Sequence, residues 1–201
     1  PLLELAQRVR SQDRHQRGPK VYALHAPEVE CIGKGKASAP YEFGCKVSLA
    51  TPVTSPKGGQ FVLHAKALHG NPFDGHTRGP VIAGMEKLTG VEVRRIHVDK
   101  GYRGHNYPHR FRVWISGQVR RVTASIRSEM KRRAAVEPVI GHVKAEHRMD
   151  RNYLKGSVGD RINAVLAAAG YNFGLLLRWL AELLRAIIRA FAETVPAQKI
   201  A

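Results

Sequence analysis

Hydrophobic positions change period several times along the chain, and the changes mark out its elements. Residues 2–17 place Leu2, Leu3, Leu5 and Val9 at helical spacing in a basic segment, which predicts the end of a helix closed by Gly18 and Pro19. Residues 21–36 are mixed and glycine-rich and end in Gly33-Lys34-Gly35-Lys36. That run is not a phosphate-binding loop, because no Gly stands five positions before Gly35 and Ala37 follows the second Lys; a solvated basic loop is expected. Residues 41–51 alternate, with Phe43, Cys45, Val47 and Leu49 on one face of a predicted strand. A turn over residues 52–59 leads to a second strand at 61–68, and the two read as an antiparallel hairpin. The loop opened by Asn71-Pro72 carries Asp74. Residues 81–88 predict a short helix stopped by Gly90. A third strand covers 91–98, with Asp99 at its C-terminal end, and a fourth covers 111–115. Residues 125–148 predict a helix kinked at Pro138. A basic loop at 151–159 precedes a long Ala/Leu-rich helix over 160–192, with Gly170 or Gly174 as possible breaks.

This order predicts a mixed α/β fold with helices packed on a sheet. Its 201 residues suit one domain, or one domain with a helical extension. Hydrophobic residues at 43% and charged residues at 24% exclude a disordered or collagen-like chain. Cys31 and Cys45 make neither a CxxC motif nor a disulfide framework, so reduced, buried, cytosolic thiols are expected. No signal peptide opens the sequence, and the uncharged apolar stretch 162–177 is shorter than a membrane span; neither secretion nor membrane anchoring is expected.

Charge changes the picture most. Thirty-three Lys and Arg against sixteen Asp and Glu give a net +17, which calls for a polyanionic partner, nucleic acid or an acidic membrane. Between residues 94 and 155 sixteen basic residues face five acids, a net +11, and phosphate contact accounts for such one-signed clustering better than a solvated surface does. Within this region Asp99 lies where an apolar strand meets a glycine turn. It either faces the mouth of the sheet, where ligands bind, or caps its own backbone. On a helix, Arg133, Glu137, Lys144 and Arg148 fall within about 60° of one another, apart from the apolar stripe of Val136, Val139, Ile140 and Val143. Glu137 is then either a site carboxylate flanked by cations or half of an Arg133–Glu137 surface pair. Two carboxylates on a phosphate-attracting surface suggest a divalent metal site.

The motif Asp99-Lys100-Gly101-Tyr102-Arg103-Gly104, followed by Arg133-x3-Glu137-x6-Lys144, resembles the DDE transposases of bacterial insertion sequences. The segments KVYALHAPEVECIGKGKA (20–37), YEFGCKVS (41–48), GNPFDGHT (70–77), VEPVIGHVKAEHRM (136–149) and AAAGYN (167–172) extend the resemblance, in order, to the C-terminal half of the transposases of insertion-sequence family five. The resemblance implies an RNase H-like mixed sheet with flanking helices and a long C-terminal helix. It implies the end of a helical insertion at 1–19, a partial catalytic domain at 20–155 and a C-terminal helical segment at 156–201. Asp99 and Glu137 would be the second and third acids of the triad and ligands of Mg2+ or Mn2+. Arg133 and Lys144 would be the basic residues of the Tyr-Arg-Glu-Lys signature, gripping DNA phosphate. Lys100, Arg103 and Arg148 belong to the same basic surface. The partner would be double-stranded DNA, with a homo-oligomer possible, at the nucleoid of a bacterial cytoplasm.

Two departures stand out. Met130 occupies the position of the signature's Tyr. The first acid belongs on an upstream strand with no counterpart here, since Asp13 lies in a basic helical segment and Asp74 in a loop. The expectation is a chain that lacks the first strand and has little or no activity alone. Two other readings compete. One is a metal nuclease built on His97, Asp99, His105, Asn106 and His109. The other is a non-catalytic basic DNA-binding module whose helix over 160–192 packs as core or joins subunits.

Overall fold

The computed structural model describes residues 2–16, 18–34, 37–54, 56–109 and 112–194. In chain order the elements are helix α1 (Leu2–Ser11), strands β1 (Glu30–Gly33), β2 (Tyr41–Gly44), β3 (Lys46–Ala50) and β4 (His64–Leu68), helix α2 (Arg78–Thr89), strands β5 (Ile96–Val98) and β6 (Val113–Ile115), and helices α3 (Ala124–Arg132), α4 (Val136–Ala145) and α5 (Gly156–Thr194). The fold is mixed α/β, with small two-stranded sheets and a long C-terminal helix. Gly35 and Lys36 of the expected basic loop, and Arg110 and Phe111 at the expected fourth strand, lie outside the described residues.

The expected hairpin is present: β3 and β4 pair antiparallel, with Lys46 opposite Leu68 and Ala50 opposite His64. The strand expected over 41–51 is instead two. Gly44 takes φ 149°, a conformation open to glycine, and the chain turns there from one partner to another. Its first part, β2, pairs with β1, a strand the sequence reading had taken for loop. Phe43 therefore stays exposed on β2 while Leu49 packs toward the core. The third strand shortens to Ile96–Val98 and runs parallel to β6.

The expected kink at Pro138 falls earlier. A 3-10 turn over Arg133–Ala135 separates α3 from α4, and Pro138 sits in the first turn of α4. A first turn has no intrahelical use for its N–H groups, so the missing proline donor costs nothing there. Neither Gly170 nor Gly174 breaks α5. Gly170 is a contact point: a Cβ there would lie 2.9 Å from His147 Nδ1, so glycine lets the residues after α4 approach α5 closely.

The main core lies where α4 and α5 meet the β3–β4 pair. Val62, Val139, Val143, Ala167, Ala168, Tyr171 and Leu175 are buried together, and Val143 is 0% exposed. Asn172 fastens the helix to the chain just before β4. Its Oδ1 accepts from Val62 N at 2.8 Å and its Nδ2 donates to Val62 O at 2.9 Å, as a neighbouring strand would. Beyond Leu175, Leu176, Leu177, Trp179, Leu180 and Leu183 are exposed. By length and composition alone α5 could cross a membrane, which the shorter run 162–177 had not suggested; a core helix passes the same test, and its first half does bury a face. The whole chain exposes 14867 Å². A compact monomer of its mass exposes about 9400 Å².

Candidate nucleic-acid interface

A cavity of about 1040 Å³ opens between the β3–β4 pair, β5 and α4. Asp99, Arg133 and Lys144, three of the residues singled out in the sequence, line it, together with Asp74, Arg78 and Arg132. Glu137, Lys100, Arg103 and Arg148 are not among the described residues that line it.

Asp99 follows β5 directly and caps a 3-10 turn over Lys100–Tyr102, its Oδ1 accepting from Gly101 N at 2.9 Å. The backbone-capping role is therefore real, and it coexists with a place on the cavity wall. Asp74 starts a short turn on the other side of Gly101. A Cβ on Gly101 would lie 3.1 Å from Asp74 Oδ2 and 3.2 Å from Asp99 Oδ1, so the two carboxylates face each other across a position only glycine leaves open. Lys46 Nζ holds the other Asp74 oxygen at 3.0 Å and also donates to the Pro72 carbonyl at 3.0 Å.

Arg78, from the first turn of α2, lines the same cavity and is only 3% exposed. Its guanidinium stacks 4.8 Å from the centre of the Tyr102 ring, and Nη2 donates to the Tyr102 carbonyl at 3.3 Å. Nε and Nη1 are buried without a partner among the described residues. Each buried donor left unpaired costs about 1–3 kcal/mol, and the arrangement suits an anion that arrives from the cavity. Burial lowers the Arg78 pKa, but an arginine stays charged. Burial, then the Asp74 carboxylate, pushes the Tyr102 phenol above its usual range, with a hydrogen bond from Thr77 opposing. Tyr102 is thus a neutral ring that seats the guanidinium.

The remaining residues stand as follows. Glu137 pairs with Arg133 at 3.6 Å and its side chain is 68% exposed, the surface pair that i, i+4 spacing allows. Lys100 lies over the Gly117 turn, 3.4 Å from where a Cβ would be. Arg103 is exposed at the end of the Asp99-capped turn. Arg148 lies 5.6 Å from the centre of the Tyr153 ring. His97 is engaged elsewhere: its side chain is 1% exposed and its Nε2 lies 2.9 Å from Glu129 of α3. Arg95 grips the same carboxylate at 2.9 and 2.6 Å. Burial raises the Glu129 pKa, but the bonds from His97 and Arg95 outweigh it and hold the group below its usual range. Among the described residues, His97, Asp99, His105 and His109 do not converge as a ligand set; the one three-residue group is Cys45, His69 and Asp160.

Oxygen donors from Asp74 and Asp99, flanking a cradle that a Cβ would fill, fit a hard divalent cation such as Mg2+ or Mn2+. Asp74, Arg78 and Tyr102 were missed as site residues in the sequence. Asp74 was set aside for its loop position, and Arg78 carried no signal beyond being one more arginine. No protein-family model, curated protein or solved structure matches this chain.

Proposed function

We propose that the chain binds DNA through this cavity and belongs to a DDE-type transposase, with an RNase H-like arrangement around β5 and β6. The observation that carries the reading is that Asp99, Arg133 and Lys144 line the same cavity in a chain of net charge +17. Motif residues separated by 34 and 45 positions (Asp99 to Arg133 and to Lys144) have no local reason to meet. Arg133, Arg132 and Lys144 grip backbone phosphate, and the buried Arg78 adds positive charge at the cavity wall. Asp99 and Asp74 are the carboxylates at the cavity that would hold Mg2+ or Mn2+, with Glu137, paired to Arg133 in this structure, as the third that the resemblance implies. Bound there, the ion supplies water activation and charge stabilisation for in-line attack at phosphorus. Asp99, fixed by the Gly101 amide, keeps its carboxylate in one orientation toward the cavity. The exposed apolar stripe of α5 supports association with a second copy, and free Cys31 and Cys45 suit a reducing bacterial cytoplasm.

A second reading, DNA binding without catalysis, is favoured by Glu137, which pairs with Arg133 outside the cavity. The test is nicking of a duplex carrying transposon ends, with Mg2+ or Mn2+, beside Asp99→Ala and Glu137→Ala. Metal-dependent nicking lost in both variants is the expected result for the transposase reading. Binding without nicking, unchanged by both substitutions, leaves the binding module.

A further inference from the structure

A second polar cluster sits where the β3–β4 hairpin meets the start of α5. Cys45 immediately precedes β3 and His69 immediately follows β4, so the register that sets Lys46 opposite Leu68 also sets these two opposite each other. Asp160 reaches them from the beginning of α5. Cys45 Sγ lies 3.6 Å from His69 Nδ1, and Asp160 Oδ2 lies 3.9 Å from the same nitrogen. All three donor atoms lie within 4.8 Å of one another. The ring is already oriented: His69 Nε2 is 3.1 Å from the Ser157 carbonyl oxygen, which takes the Nε2 proton and leaves the Nδ1 lone pair facing the cluster. Asn152 Nδ2 donates to Asp160 Oδ1 at 2.9 Å, turning Oδ2 inward.

We propose that Cys45, His69 and Asp160 bind a borderline-soft divalent transition metal, foremost Zn2+, with the fourth position left to water. Zinc bonds of about 2.3 Å to sulfur and about 2.0 Å to nitrogen, at a tetrahedral angle, put those donors about 3.5 Å apart, close to the 3.6 Å observed. A thiol and an imidazole disfavour Mg2+ and Ca2+. A backbone carbonyl on the far ring nitrogen and an amide on the far carboxylate oxygen are the outer contacts that metal-binding side chains use. Cys45 and Asp160 also border the large cavity, which gives an ion a way in.

A cysteine nucleophile fits less well. In a catalytic triad the acid and the nucleophile hold opposite ring nitrogens, whereas here sulfur and carboxylate converge on one. Burial, then the Asp160 carboxylate, pushes the Cys45 thiol up to about 11, so without a metal it is protonated and a poor nucleophile. Metal binding displaces that proton and gives the carboxylate its cation. The ion ties the hairpin to α5, independently of any nucleic acid.

The test uses the full chain, stripped of metal and titrated with Co2+ and then Zn2+. The expected result is one Co2+ per chain with a thiolate-to-cobalt charge-transfer absorption. Cys31→Ser keeps that band and Cys45→Ser loses it. Zn2+ raises the melting temperature of the wild type and of Cys31→Ser, and leaves Cys45→Ser unmoved. If Cys45→Ser fails to melt cooperatively, Asp160→Asn serves instead, with the band retained and Co2+ bound about tenfold or more weakly. A folded wild type without the band, a band that follows Cys31, or unchanged affinity in Asp160→Asn overturns the proposal.

Discussion

The cavity around Asp99 and the cluster at the foot of α5 share a wall but are built on opposite principles. The cavity spreads hard, charged groups over a wide opening, with Arg78, Arg133 and Lys144 drawn from three separate helical segments. The cluster draws three unlike donors, a thiol, an imidazole and a carboxylate, inside 4.8 Å. Cations distributed over a wide opening suit a long polyanion and act through many weak, screened contacts. Converging donors suit one ion and act through a few short bonds. The two regions should therefore answer differently to salt, substitution and acid.

Salt separates them most. If about six or more phosphates are contacted, raising salt from about 50 to about 200 mM lowers duplex affinity by roughly 10³-fold, while Co2+ affinity at the cluster barely changes. Fluorescence anisotropy for DNA and absorbance for cobalt measure both on one preparation; equal salt sensitivity would erase the distinction. Asn172→Ala comes next. Loss of the clamp on Val62 leaves buried backbone groups unpaired and costs about 2–3 kcal/mol in a denaturant titration. This clamp belongs to the frame both sites share, so neither affinity should survive selectively.

Arg78→Leu is expected to weaken duplex binding about tenfold, the worth of a charge-assisted bond. Its melting temperature should hold or rise, because a buried charge without an anion has been removed. A lower melting temperature with unchanged DNA affinity would make Arg78 a packing partner of Tyr102 instead. Glu129→Gln gives the smallest change and touches neither region directly. The Glu129 carboxylate is held below the usual 4.5, so its bonds to His97 and Arg95 stabilise the fold above that pH. That contribution fades as pH falls through the lower folded value. As pH falls below the usual carboxylate value the wild type should lose more melting temperature than the variant; parallel acid limbs would show that Glu129 adds nothing to stability.

Legibility in the sequence followed the same divide. Charge clustering and the Asp99 turn are local, but spacing left the roles of Asp99, Arg133 and Lys144 open; the resemblance singled them out, and their shared cavity follows from the fold. Cys45, His69 and Asp160 lie far apart in the chain, and only the β3–β4 register and the start of α5 bring them together. Element types read well where period and punctuation agreed, as at the β3–β4 hairpin and at Gly90, which takes the left-handed conformation and ends α2. They read poorly where tertiary contact decided. Gly44 split a strand that alternation made continuous, Pro138 moved a break upstream, and Gly170 packed against His147 where a break was expected. Glu137 shows what facial spacing leaves open: it allowed a site carboxylate or an Arg133–Glu137 pair, and the structure has the pair.

If the cations of the cavity hold duplex DNA by its phosphates, as proposed, they set the slope of log affinity against log salt, to be measured for the wild type and for Arg133→Ala/Lys144→Ala. The expected slope is steep in the wild type and reduced by about 2 in the double variant, with uniformly weaker binding across sequences. An unchanged slope and affinity in a folded double variant would contradict it.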